Sequence, residues 1–188
     1  MLFFVRLWYR LTMAWTKWRN PTAPVEAVGH ILEIPTRILQ GDLYRNDPRW
    51  TDYLAHPRCF QARINKGQHT YDCEDHAAYW ATVLHKSRLV TKVGFGFIYW
   101  RDAAGQRNGH AICVFEDLNG QRFWADYGRP RPIADLAAWW DFGHDILSLY
   151  KGKSLRKIAY LEITGFTPGD TPIFRGEHLV RRKDFGPG

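Results

Sequence analysis

Cysteine is scarce in this chain: Cys59, Cys73 and Cys113 are the only three in 188 residues. An odd, low count excludes a disulfide-stapled scaffold. A reducing, cytoplasmic setting is the simpler expectation. Long hydrophobic runs are missing as well. Arg6 and Arg10 break the apolar N-terminus, and no small-residue cleavage site follows it, so neither a signal peptide nor a transmembrane span is expected. There is no internal repeat and no domain-dividing linker. The net charge of +7 comes with no nucleic-acid-binding motif, and its few close runs are Arg129/Arg131, Lys151 to Lys157 and Arg181-Arg182-Lys183. That pattern reads as a solvated basic surface, with nucleic acid an unlikely partner.

Aromatic residues, in contrast, are plentiful. Hydrophobic residues make up 45%, with 9 Trp, 9 Tyr and 11 Phe, enough to fill the core of one domain and to exclude disorder. Phe4, Trp8, Leu11, Trp15 and Trp18 recur at helical spacing, while Arg6, Arg10 and Lys17 fall on another face. Residues 2–19 are therefore expected to form an amphipathic helix. The aromatic stripe suits packing on the chain's own domain first, then docking on a partner protein or lying in a membrane surface. Asn20-Pro21-Thr22-Ala23-Pro24 stops the helix. The domain proper is expected over residues 21–188.

Beyond the breaker, a short helix is expected after Pro35. Residues 41–70 read as an irregular approach with a short helix near Trp50–Leu54. Residues 73–87 predict a helix, residues 89–100 a strand, and 102–108 a turn. Residues 109–116 and 121–127 predict two strands joined by a two-residue Asn119-Gly120 turn. Helices are expected at 133–141 and 144–151, a strand at 156–164, and a fraying Gly- and Pro-rich tail. The fold class is α+β: a nucleophile-bearing helix packed on an antiparallel sheet.

Three residues carry chemistry in that order. Cys73 stands at a helix start in Asp72-Cys73-Glu74-Asp75, His110 in the strand Gly109-His110-Ala111, and Asp126 in the next strand. A thiol needs a base to deprotonate it, and the base needs a partner that fixes its tautomer. A helix N-terminus and an imidazolium would both lower the thiol pKa from about 8.5. With a two-residue turn, paired residue numbers sum to about 239. His110 then opposes position 129, about three residues from Asp126, and a bulge would be needed to bring the two together. Cys59 and Cys113 read as small buried hydrophobes, and His76 and His85 as surface or packing residues.

These motifs, over roughly residues 65–130, resemble the transglutaminase-like cysteine proteinase group of bacterial and phage type. The resemblance implies a papain-like core, a Cys73–His110–Asp126 catalytic triad, and cleavage of a protein or peptide amide through a thioester. No cofactor is required. Calcium beside the nucleophile is a further implication, with Asp72, Glu74 and Asp75 at the acidic positions; helix N-terminal charge stabilisation explains the same acids more simply. The Cys73 N–H, with Gln68 or His69 and then Gln61, are the oxyanion candidates. Alternatives are a zinc site from Cys73, His76, His110 and Cys113, made awkward because His110 and Cys113 point to opposite strand faces; a cell-wall amidase; a transglutaminase using an amine acceptor; and a non-enzymatic binding or assembly module.

Overall fold

The computed structural model describes residues 2–35, 54–67, 72–101, 104–133 and 154–181. Within them lie helices α1 (Leu2–Arg19), α2 (Pro57–Ile64) and α3 (Cys73–Lys86), with helical residues also at 33–35. Six strands follow: β1 (Val90–Arg101), β2 (Arg107–Asp117), β3 (Arg122–Ala125), β4 (Arg131–Pro132), β5 (Ser154–Phe166) and β6 (Pro172–Arg181). They form one sheet of order β4-β3-β2-β1-β5-β6, antiparallel at every step. The α+β class is therefore realised. The expected helices at 133–141 and 144–151, most of that near Trp50–Leu54, and the whole stretch after Pro35 fall outside the described residues.

Helix α3 starts and stops where local chemistry dictates. Asp72 caps it by accepting the Asp75 N–H at 3.3 Å, Glu74 and Asp75 occupy the first turn, and His85 and Lys86 the last. That distribution suits the helix dipole. Its buried face, including Tyr79 and Trp80, packs on β2 and β1, where Phe95, Phe97, Ala111, Cys113 and Phe115 complete the core. Gly94 lets β1 and β5 close together. A Cβ there would stand 2.5 Å from the Leu161 carbonyl and 2.6 Å from the Tyr160 ring.

Four expectations are corrected. The β2–β3 loop has three residues, Leu118 to Gly120. Asp117 donates its N–H to the Gln121 carbonyl at 2.9 Å, its Oδ1 accepts the N–H groups of Asn119 and Gln121, and Gly120 takes φ 80°. The Asp117 side chain turns the chain one residue earlier than an Asn-Gly turn would. Second, residues 57–64 are helical. Pro57 is at its first turn and His56 Nδ1 caps the Arg58 N–H, an uncommon capping residue. Third, residues 172–181 pair with β5 along its length rather than fray. Fourth, Pro132, expected with Pro130 to end the third strand, pairs with it instead: Arg131–Pro132 form a short edge strand on β3, a position where proline's missing N–H is tolerated.

Helix α1 also departs from expectation. Its buried residues are Tyr9, Thr12, Met13 and Thr16, whereas Phe4, Trp8, Leu11, Trp15 and Trp18 are exposed. The Tyr9 ring lies 6.1 Å from Phe97 and 6.5 Å from Phe174. Thr12 Oγ1 accepts the Leu54 N–H at 3.2 Å, and Thr16 Oγ1 accepts the His56 N–H at 3.0 Å. The two threonines satisfy backbone donors that a purely apolar stripe would have left unpaired, so the mixed face wins the core.

Candidate active site

The hairpin register creates the first contact of the site. Cys113 pairs with Ala125, so residue numbers sum to 238 and Asp126 extends the strand opposite Ile112. His110 and Asp126 then have the same parity. They are diagonal neighbours on one face, within reach of long side chains. A sum of 239 would have put them on opposite faces. No bulge is involved. His110 Nε2 lies 3.0 Å from Asp126 Oδ1, with side chains 12% and 24% exposed. The ring N–H is not aligned with that oxygen, and among the described residues neither atom has a hydrogen-bond partner. The contact is thus a short polar approach whose alignment is incomplete.

Cys73 is the first residue of α3 and is 8% exposed. The backbone N–H of Ala111, in the peptide linking His110 to Ala111, acts on its sulfur and favours the thiolate. Ala111, Cys113 and Phe115 join the core beneath α3, and His110, next along β2, has the opposite parity. The peptide between His110 and Ala111 thus lies near the start of α3, at the margin of β2 where β3 has ended, and the His110 side chain leaves the strand on the face opposite Ala111. Tyr127 fills that margin. Its ring centroid is 4.6 Å from His76 on α3 and 5.8 Å from His110. Tyr127 is not legible as a site residue from sequence, because its place depends on β3 stopping at Ala125. His76 itself is buried between Phe60 and Tyr127, a packing position as expected.

The electrostatics differ from expectation. Burial pushes the Cys73 thiol well above the usual thiol range, Glu74 pushes it further, and the Ala111 N–H only partly opposes them. The thiol donates to Glu74 Oε2 at 3.1 Å. The N-terminal dipole is outweighed by desolvation and by a carboxylate on the adjacent residue. The surroundings of the sulfur therefore favour the thiol over the thiolate. Burial also raises the other two cysteines, Cys59 to about 11 and Cys113 beyond that.

The three acids each have a local partner. Asp72 caps α3, Glu74 accepts from the thiol, and Asp75 accepts the Ala55 N–H at 2.5 Å. Among the described residues no group of three His, Cys, Asp or Glu could hold a metal. Gln61 is committed elsewhere. Its Oε1 accepts from the Tyr79 hydroxyl at 2.8 Å and the Glu26 N–H at 3.2 Å, while its Nε2 donates to Asn65. It is a buried tie between α2, α3 and the segment before them, and no oxyanion donor. Gln68 and His69 lie outside the described residues.

No family model matches the chain. None of the curated proteins matches it either.

Proposed function

We propose that this chain is a thiol-dependent hydrolase with a transglutaminase-like, papain-like core, cleaving an amide bond of a protein or peptide. The observation that carries this reading is the approach of His110 Nε2 to within 3.0 Å of Asp126 Oδ1 on β2, beside the Ala111 N–H that acts on the Cys73 sulfur. His110 removes the proton from Sγ as substrate displaces Glu74. The sulfur attacks the amide carbonyl, and the carbonyl oxygen becomes an oxyanion near the Cys73 N–H, a donor the helix ladder does not require. His110 returns its proton to the departing amine, leaving a thioester. Water, deprotonated by His110, then cleaves the thioester to a carboxylic acid and the free thiol. Asp126 orients the imidazole and stabilises its charged form.

The test is product formation from a panel of denatured proteins and peptides, read as new N-termini and as released ammonia. New N-termini identify backbone cleavage, and ammonia a side-chain amide. Cys73→Ala and His110→Ala are expected to abolish both with unchanged circular dichroism, and Asp126→Ala to reduce turnover less. Full activity in Cys73→Ala rejects the reading.

The protonated, buried thiol favours a second reading, a binding or assembly module on the same fold. Iodoacetamide labelling separates the two. An enzyme labels at Cys73 ahead of Cys59 and Cys113 and loses that preference in His110→Ala. A binding module labels slowly at all three.

A further inference from the structure

Helix α1 has two apolar faces, and the chain's own core covers one. The second comprises Phe4, Leu7, Trp8, Leu11, Trp15 and Trp18, between 44% and 79% exposed. Among the described residues only Leu32 and Leu118 are other large apolar side chains so exposed, so exposed hydrophobicity is concentrated on one helix. Positions 4, 7, 8, 11, 15 and 18 fall within an arc of about 100° at about 100° per residue. A patch of this kind marks an interaction surface.

The charge around the arc is of one sign. Residues 2–19 contain no Asp or Glu. Arg6, Arg10 and Lys17 lie along one edge. Arg19 lies on the other, its guanidinium 5.6 Å from the Trp15 and Trp18 ring centroids. Beside the arc is an open groove of about 250 Å³ lined by Arg6, Leu7, Arg10 and Phe174. Arg6 and Arg10, one turn apart, thus line a cavity together with Phe174 and with Leu7 of the apolar arc. That juxtaposition fits a molecule with an anionic head and an apolar body. Among the described residues no helix is long and apolar enough to cross a membrane, so an in-plane arrangement is the one that uses both faces.

We propose that α1 docks the protein on the surface of an anionic phospholipid membrane. The Phe4–Trp18 arc enters the interface, and a lipid phosphate sits between Arg6 and Arg10. Interfacial helices bury their apolar face about 5–10 Å into the headgroup boundary, strengthened by anionic lipid. Here the helix is held to the domain by Tyr9, Met13, Thr12 and Thr16, so the whole body follows it to the surface. The inference is independent of the chemistry at Cys73.

Co-flotation of the full chain with vesicles tests it. Vesicles of phosphatidylcholine with phosphatidylglycerol should carry the protein, with a blue shift of tryptophan emission, and pure phosphatidylcholine should bind it at least about tenfold more weakly. Leu11→Glu, at the centre of the arc, should abolish flotation. Arg6→Gln/Arg10→Gln should remove most of the preference for anionic lipid while leaving circular dichroism unchanged. Absence of flotation with anionic vesicles overturns the proposal, and so does flotation that survives Leu11→Glu. Concentration-dependent dimerisation abolished by Leu11→Glu, without flotation, would assign the face to a second copy and overturn it as well.

Discussion

At Cys73 a helix N-terminus favours the thiolate, while burial and the Glu74 carboxylate favour the thiol; the second pair prevails. Glu74→Gln should therefore raise the Cys73 alkylation rate several-fold at pH 8, measured by peptide mass spectrometry, because it removes a charge that opposes ionisation. His56 titrates in an informative range. Burial, with Lys17 and Arg58 nearby, lowers its pKa from 6.5 to about 4. Its Nδ1 accepts the Arg58 N–H and its Nε2 bonds Thr171 at 3.0 Å, an arrangement that requires the neutral ring. A folded pKa below the unfolded one means that the unfolded chain binds more protons between these values. Stability is thus full above pH 6.5 and is lost as pH falls toward 4, by on the order of 3 kcal/mol. Urea titrations across that range should show the loss, reduced in His56→Asn, which keeps a capping acceptor. His85 shifts in the same direction through burial and leaves a residual slope. Gly94→Ala should cost roughly 1–3 kcal/mol, since the new methyl meets backbone as well as a ring.

Among the elements, α1 separates pattern from placement. Its helical nature was legible from the 3- and 4-residue spacing of aromatics and from the Pro21 stop. Its orientation was not, because both faces are apolar enough to bury and the threonines that decided it read as neutral. Met13→Ala, in a fully buried site, should cost about 2–5 kcal/mol. Trp18→Ala, 79% exposed, should change stability by less than about 0.5 kcal/mol; chemical denaturation of the two variants checks the assignment. The β2–β3 hairpin was legible as a hairpin but its register was not. Asp117, bonding two backbone N–H groups, set a three-residue loop, and that single residue of register is what puts His110 and Asp126 on one face. Helix α2 escaped notice because eight residues with a histidine cap give almost no periodic signal. Strand β6 was not legible because Pro168, Gly169 and Pro172 at the tight β5–β6 turn read as loop, which conceals the second arm of a hairpin.

Across the whole molecule, distant segments are tied by a few buried polar groups. Asp170, in the β5–β6 turn at φ 63°, accepts Arg58 Nε at 2.9 Å and Lys86 Nζ at 3.1 Å, and the Val25 N–H as well. Burial raises its pKa, but these partners more than compensate and hold it below the usual carboxylate value. Asp170→Ala should lower stability by roughly 2–4 kcal/mol, as two cations lose their buried partner; thermal unfolding at pH 7 measures it, and the difference from wild type should shrink in acid. The sequence alone determined the α+β class, the helix beginning at Cys73, the hairpin that follows and the identity of the candidate nucleophile, base and orienting acid. Each of these follows from local propensity, capping and residue chemistry over a few turns of chain. The tertiary structure alone decided which face of α1 is covered, that His110 meets Asp126 across a diagonal, that Tyr127 packs beside His110 and His76, and that burial and Glu74 favour the Cys73 thiol. Those outcomes depend on register, burial and charges brought together from separate segments, and such quantities take their values only once the chain has packed.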